Sequence, residues 1–335
     1  MPDRTTTLAD HVRGRHRDDP GLAADLEIVL GAIAASARTL SRAIRRAAFT
    51  GELGLAGNEN ATGDAQKKLD LLANEAVVAA LASSGLVAAI VSEEEDTARR
   101  LGTGKGARYI VCIDPLDGSS NTDVDGCVGT IFGLYRRLDG APEPTSRDLL
   151  RRGSEQLAAG YVLYGPSTLL ACTTGQGVSG FTLDEDRGEF LLTHETLRCP
   201  PRGRCYSANL GNLKGWHPHL RKYVDYLTEK DPGGRRPYSL RYTGALVADL
   251  HRSLIDGGLY FYPADSAHAS GKLRLMYECA PLAFVVEQAG GRASTGMERI
   301  LDVQAGSIHQ RVPFVIGSVE DVILYERFLK DGGPA

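Results

Sequence analysis

No stretch of the sequence approaches the roughly 18 apolar residues that a bilayer-spanning helix requires, so no membrane segment is expected. Nor is there a basic excess. Lys and Arg number 38 against 42 Asp and Glu, a net charge of −4, which gives nucleic acid no electrostatic hold. The basic pairs Arg151–Arg152 and Arg235–Arg236 carry no interleaved aromatics. Cysteine is sparse, with six in all and no Cys-x-x-Cys spacing. The only close histidines, His217 and His219, flank a proline in a polar stretch. Buried free thiols in a reducing compartment are expected, rather than disulfides or a zinc site. The first 20 residues are polar and have no apolar signal core, so a cytoplasmic protein is expected, with an Arg-rich transit segment as the alternative.

What is present is a chain of 335 residues with 42% hydrophobic residues, enough for a sizeable core in one large domain or two fused layers. Residues 1–20 read as a mobile arm. From Pro20 the apolar positions Leu22, Leu26, Val29, Ile33, Leu40 and Ile44 fall mostly three or four apart, which predicts a helix to about residue 49 with Asp19 as its cap. A second helix is expected over 64–82. "LVAAIV", "RYIVCI" and "GTIFGLYRRL" then read as strands, followed by two hairpins turning at 165–167 and 184–188. After Pro200–Pro201 strands and helices alternate. The expected class is layered α/β (α+β) with two sheets and a seam near residue 200, giving units of 21–198 and 199–335.

The chemistry concentrates in "VCIDPLDGSSNTD", residues 111–123. An apolar strand ends on Asp114 and Asp117, and Gly118, Ser119 and Ser120 follow with free backbone amides. Pro115 forces Asp114 to be extended, and Asp117–Gly118 makes a turn. Glu93, Glu94 and Glu95 end the preceding strand. Neighbouring strand ends are where open sheets place ligands, so these acids are expected to converge. Glu93–Glu95 alone also fits a solvated acidic turn. Hard oxygen donors without His or Cys favour Mg²⁺, with Mn²⁺ as substitute. Small residues at a helix start favour a phosphate. Together they suggest metal-assisted transfer of a phosphoryl group to water.

Two look-alikes fail. "NTDVDG" resembles the start of a calcium-binding loop, but its twelfth position is Phe132. "GTGKGA" has spaced glycines but neither a preceding strand nor a closing Lys-Ser/Thr. In the second half, Lys272 and Arg274 stand two apart, with Arg241, Tyr242 and Tyr262 elsewhere. Singly each reads as a surface charge or core aromatic; jointly they suit a second anionic group away from the metals.

These residues give the sequence a resemblance to the class I fructose-1,6-bisphosphatases over residues 26–330, carried by "TGDAQKKLDLLAN", "SEEE", "DPLDGSSN", "GTIFG", "RYTGALVADLHR" and "GKLRLMYECAPLAFVVEQAGG". The "DPLDGS" core is shared with inositol monophosphatase relatives; "QKKLD" and "KLRLMYE" are more specific to sugar bisphosphatases. The resemblance implies a five-layered α-β-α-β-α fold, usually a homotetramer, that hydrolyses the 1-phosphate of a sugar bisphosphate. It implies Glu93, Asp114, Asp117 and Glu278 as metal ligands with the Leu116 carbonyl, and Asp64 as a ligand to a weaker metal. Asp64 fits a helix cap equally well. It implies Asp70 and Glu94 as the pair activating water, and Gly118, Ser119 and Ser120, beside Asp117, as the 1-phosphate grip. Asn209, Tyr242, Tyr262 and Lys272 would hold the sugar and far phosphate, together with Arg274 and an Arg241 supplied by a neighbouring subunit.

The match is incomplete in two places. Leu210 and Asn212 stand where relatives carry Glu and a phosphate-binding Tyr, which leaves one phosphate contact unaccounted for. The family's allosteric site for adenosine monophosphate is matched by Arg108, Tyr109 and Arg136. At its helix start, however, Ala23, Ala24, Asp25 and Glu27 replace the hydroxyl donors. No cysteine lies between Cys127 and Cys172, so the thiol switch of chloroplast relatives is not expected. The rival readings are a sedoheptulose-1,7-bisphosphatase or dual enzyme, an inositol or nucleotide phosphatase, and a non-catalytic sugar-phosphate-binding subunit.

Overall fold

The computed structural model describes residues 5–59, 65–102, 106–138 and 143–333. The first half begins with α1 (Leu8–Arg15), α2 (Pro20–Thr50), a ribbon of β1 (Leu55–Glu59) and β2 (Ala65–Lys67), and α3 (Lys68–Ser83). A large sheet follows: β3 (Val87–Ser92), β4 (Arg99–Arg100), β5 (Tyr109–Asp117), β6 (Val128–Arg136), the one-turn α4 (Ser146–Leu149), then β7 (Gln156–Tyr164), β8 (Thr168–Thr173), β9 (Val178–Asp184) and β10 (Glu189–Leu197). Its order is β10-β9-β8-β7-β6-β5-β3-β4. β3 and β5 run parallel and the rest pair antiparallel.

The second half contributes β11 (Cys205–Ser207), α5 (Pro218–Thr228), β12 (Ser239–Leu240), α6 (Leu246–Asp256), β13 (Leu259–Tyr262), β14 (Leu273–Arg274), α7 (Ala280–Gln288), β15 (Arg292–Ser294), β16 (Arg311–Val312), β17 (Phe314–Gly317) and α8 (Val319–Asp331). Five of these strands form a smaller sheet in the order β12-β11-β13-β17-β15, and β14 pairs β16.

Three cores hold five layers together, the middle core lying on both faces of the central helices. Alternate residues of β5 divide between two of them: Val111 and Ile113 join Leu30, Ile33 and Leu40 of α2 and Leu69 and Val77 of α3, while Ile110 and Cys112 join Leu250 and Leu254 of α6 and Val285 and Val286 of α7. β13 divides likewise. Tyr260 and Tyr262 face the middle helices, and Leu259 and Phe261 pack on Tyr223 of α5 and Tyr325 and Phe328 of α8. The result is the expected α-β-α-β-α stack.

Local departures from the sequence reading have physical causes. The arm expected over 1–20 contains α1, closed by a capping box between Thr7 and Asp10, with Leu8 and Val12 one turn apart and buried in the α2 core. The second helix starts at Lys68, because residues 65–67 are taken up by β2. By length and composition α2 could cross a membrane, yet Leu26, Val29, Leu30, Ile33 and Leu40 bury its apolar face in the protein.

Candidate active site

β3 and β5 finish side by side, with Ser92 opposite Ile113 and the Glu93 N–H donating to the Ile113 carbonyl at 3.2 Å. Three apart on a regular strand, Asp114 and Asp117 would face opposite sides of the sheet. They do not, because Asp114 pairs with Ile131 and Asp117 with Gly129, so β5 takes three steps against two on β6. This bulge turns both carboxylates toward one pocket of charge. Gly129 is itself required, since a Cβ there would lie 2.7 Å from Val247. The Thr130 hydroxyl donates to the Pro115 carbonyl at 2.8 Å and pins the bulge.

Glu278 arrives from the second half. Leu275–Cys279 forms a single π-helical turn ahead of α7, where Pro281 has no N–H to continue an α-helical ladder backwards. The Glu278 carboxylate accepts the Arg274 backbone N–H at 2.5 Å. Asp114, Asp117 and Glu278 are buried, and Glu93 is half-buried. Burial raises the pKa of all four, and like charge adds to it: Glu278 acts on Glu93, Glu93 on Asp114 and Asp117 on Glu278. Relief comes to Glu93 from a hydrogen bond with Asp114 and then from the Arg274 charge, and to Glu278 from the Arg274 backbone N–H and then from its charge. Among the described residues no three of these acids are already drawn into a closed metal cage. The donor set is all oxygen and carries surplus negative charge, which fits a hard divalent cation. Asp64 lies outside the described residues.

Asp70 and Glu94 flank this cluster. Asp70, on the first turn of α3, accepts the Lys67 N–H at 2.8 Å through Oδ2, while Oδ1 is buried without a partner of hydrogen-bond geometry among the described residues. Burial raises its pKa, and the Lys67 amide and the Ser119 hydroxyl lower it. Glu94 accepts from the Gln66 side-chain amide at 2.5 Å. The turn carrying Glu94 is anchored by Ser92, whose hydroxyl donates to Asn74 Oδ1 at 2.8 Å, while Asn74 Nδ2 donates to Glu95 at 2.8 Å. Glu95 is thus a structural tie, also paired to Arg99, rather than a ligand candidate. The sequence reading did not identify Gln66, Asn74 or Ser92. Asn74 sits one helical turn after Asp70, which is the only local signal.

Gly118 adopts φ 74°, ψ 27°, and a Cβ on it would lie 2.5 Å from the Ala245 Cβ, so glycine is required twice over. It starts a 3-10 turn over Ser119–Val124 whose first amides, those of Ser119 and Ser120, have no preceding carbonyl of the turn to bond. These amides open beside the acids and could receive an anion.

The second-half residues divide. Asn209 caps a short turn by accepting the Gly211 N–H, and Tyr242 and Lys272 are both exposed. Tyr262 is buried, and its hydroxyl accepts from Asn212 Nδ2 at 3.2 Å, so the residue standing at a family tyrosine position reaches the same wall. Arg274 departs from expectation. It is 5% exposed and its charge acts on Glu93 and Glu278, which places it with the carboxylates rather than with a distant anion. Arg241 is exposed, and its guanidinium donates to its own chain at Leu240 O.

Arg108, Tyr109 and Arg136 stand at the opposite end of β5 and β6, with Tyr109 paired to Arg136. Eight strand steps from Asp117, they are about 26 Å away. Asp25 of α2 fills the cluster: it pairs with Arg108 and accepts the Tyr109 hydroxyl at 2.6 Å.

Comparison with known proteins agrees with this architecture. Residues 6–195 match the model of the fructose-1-6-bisphosphatase N-terminal domain and residues 199–330 that of its C-terminal domain. A class 1 fructose-1,6-bisphosphatase of Acaryochloris marina is 52% identical over 98% of this chain and 99% of its own, and one from Chloroherpeton thalassium is 46% identical over 96% and 93%. Among solved structures, the holo form of Leishmania major fructose-1,6-bisphosphatase superposes with a TM-score of 0.92 at 40% identity, covering 98% of this chain and all of that one. Its apo form gives 0.87 at 37% identity, covering 97% and 99%.

Proposed function

The chain belongs to the class 1 fructose-1,6-bisphosphatase family, and from that membership we propose that it hydrolyses the 1-phosphate of fructose 1,6-bisphosphate, giving fructose 6-phosphate and inorganic phosphate. The observation that carries the reading is the bulged end of β5, which sets Asp114 and Asp117 beside Glu93 and Glu278 and delivers the chain directly into the Gly118 turn. An anion subsite and a cation subsite are thereby built from consecutive residues.

In this reading the amides and hydroxyls of Ser119 and Ser120 hold the 1-phosphate, positioned by the left-handed Gly118. Asp70 and Glu94 lie on the attacking side and take the proton of the incoming water, with Gln66 holding the Glu94 carboxylate in place. Asn209, Tyr242, Tyr262 and Lys272 hold the sugar and its far phosphate, and Asn212 supports Tyr262. The family is metal-dependent. The divalent cation, Mg²⁺ with Mn²⁺ as substitute, would be held by Glu93, Asp114, Asp117, Glu278 and the Leu116 carbonyl, where it supplies charge neutralisation and a more acidic water. Arg274 shares the task of offsetting the acids.

We further propose a homotetramer, on the exposure of Arg241, which suits a residue offered to a neighbouring subunit's site. Free thiols at all six cysteines support a reducing, cytoplasmic setting. Phosphate release with Mg²⁺ from fructose 1,6-bisphosphate, sedoheptulose 1,7-bisphosphate and an inositol monophosphate tests the substrate. The largest kcat/KM is expected for the fructose ester; a largest value for either other substrate would overturn the assignment.

A further inference from the structure

Two loops that the proposed reading assigns to opposite ends of the substrate are joined by one side chain that touches neither end. Asn121 lies within the 3-10 turn that Gly118 starts. Its amide nitrogen donates to the Cys127 carbonyl at 3.0 Å and to the Thr243 carbonyl at 3.1 Å, 122 residues further along the chain. Both partners are carbonyls, so the orientation of the amide is fixed by the network. Its backbone is also fully engaged: the N–H donates to Gly118 O at 2.8 Å, and the carbonyl accepts from Gly126 N at 2.9 Å.

Thr243 is held from the other side as well, because its N–H donates to the Asp249 carboxylate, at 3.0 Å to Oδ1. The peptide that follows Arg241 and Tyr242 is therefore clamped at its N–H by α6 and at its carbonyl by Asn121. The approach is close: a Cβ on Gly118 would meet Ala245, and a Cβ on Gly126 would lie 2.9 Å from the Asn121 Cβ.

We propose that Asn121 is a positioning residue that locks the phosphate-gripping turn to the 241–245 loop and so sets the spacing between the two phosphate subsites. The inference rests on the reading that the Gly118 turn holds one phosphate and that Tyr242 and its neighbours hold the other. A ligand bearing a single phosphate uses one loop and is indifferent to the distance between them. A bisphosphate must engage both at once, and gains from a spacing fixed in advance.

The test compares ligands that span the clamp with ligands that do not. For the wild type, Asn121→Ala and the near-isosteric Asn121→Asp, which lacks the donors, the KM for fructose 1,6-bisphosphate is measured at saturating Mg²⁺. The inhibition constants of inorganic phosphate and of fructose 6-phosphate are measured alongside. The bisphosphate KM is expected to rise about tenfold, with kcat changing less, while both product constants stay within about twofold. Should Asn121→Ala fail to fold, Asn121→Ser, which keeps a donor on a shorter arm, carries the same comparison. A purely structural role would move all three constants together and overturns the proposal, as does an unchanged bisphosphate KM. A wild type that releases no phosphate from the bisphosphate would instead overturn the functional reading on which the proposal stands.

Discussion

Asp117, at the end of the larger sheet, accepts the backbone N–H of Val247 at 2.8 Å, at the first turn of the helix packed between the two sheets. The neighbouring Leu246 N–H donates to its other oxygen at 3.2 Å. Burial raises this carboxyl's pKa and the two amides lower it, so the helix start helps to keep a buried acid ionised.

Asp117→Asn removes one negative charge from the cluster and turns an amide NH₂ toward a backbone donor. Turnover is expected to fall at least about a hundredfold, with the fold retained by circular dichroism. Activity within a few-fold of wild type would rule out Asp117 as a metal ligand.

In the proposed mechanism Glu94 removes a proton in the transition state. Glu94→Gln is expected to lower kcat about a hundredfold or more with little change in KM. Gln66→Ala, which leaves Glu94 in place without its amide partner, should lower kcat by a smaller factor. An effect confined to KM would make Glu94 a substrate-positioning residue.

How far these roles could be read in advance depended on distance along the chain. The two aspartates, the turn glycine and the strand ends were legible, because proline, glycine and a sharp change in polarity mark them locally. The five-layer order came from the family resemblance, and in the structure Val111 and Cys112 of β5 face two separate cores. The links from Asn121 to Thr243 and from Gln66 to Glu94 were not legible, since each joins segments that only the tertiary fold brings together. α1 was missed because its buried face consists of only Leu8 and Val12 in a charged sequence. For Arg274, spacing showed that it stands two residues from Lys272, but not that it is buried beside Glu93 and Glu278.

Without metal, the four raised acids oppose folding once they must ionise. Their stability contribution is fully present below the unfolded carboxylate pKa near 4 and is lost as pH rises through the folded values, about 7 for Asp117 and about 8 for Glu93 and Glu278. In a chelator the melting temperature should therefore fall by a few degrees between about pH 5 and 8. Mg²⁺ should recover it most at the alkaline end. Equal melting curves with and without Mg²⁺ at pH 8 would contradict the carboxylate cluster as a cation site.

Asp25 places a carboxylate where the family resemblance puts a nucleotide phosphate, already paired to Arg108 and Tyr109. An incoming phosphate meets like charge and lacks the hydroxyl donors, each lost bond costing about 1.5–3 kcal/mol, or about tenfold or more in affinity. Adenosine monophosphate is expected to inhibit weakly or not at all, and Asp25→Thr to increase sensitivity at least several-fold. Half-inhibition of the wild type at low micromolar nucleotide would show that Asp25 does not guard this cluster.

Phosphorus NMR on fructose 1,6-bisphosphate with the purified protein follows both ester resonances separately and tests the central claim most directly. With Mg²⁺, the C1 ester signal should decay into inorganic phosphate while the C6 ester persists as fructose 6-phosphate, and chelation should stop the reaction. Loss of the C6 ester first, or hydrolysis that continues undiminished in chelator, would contradict the account.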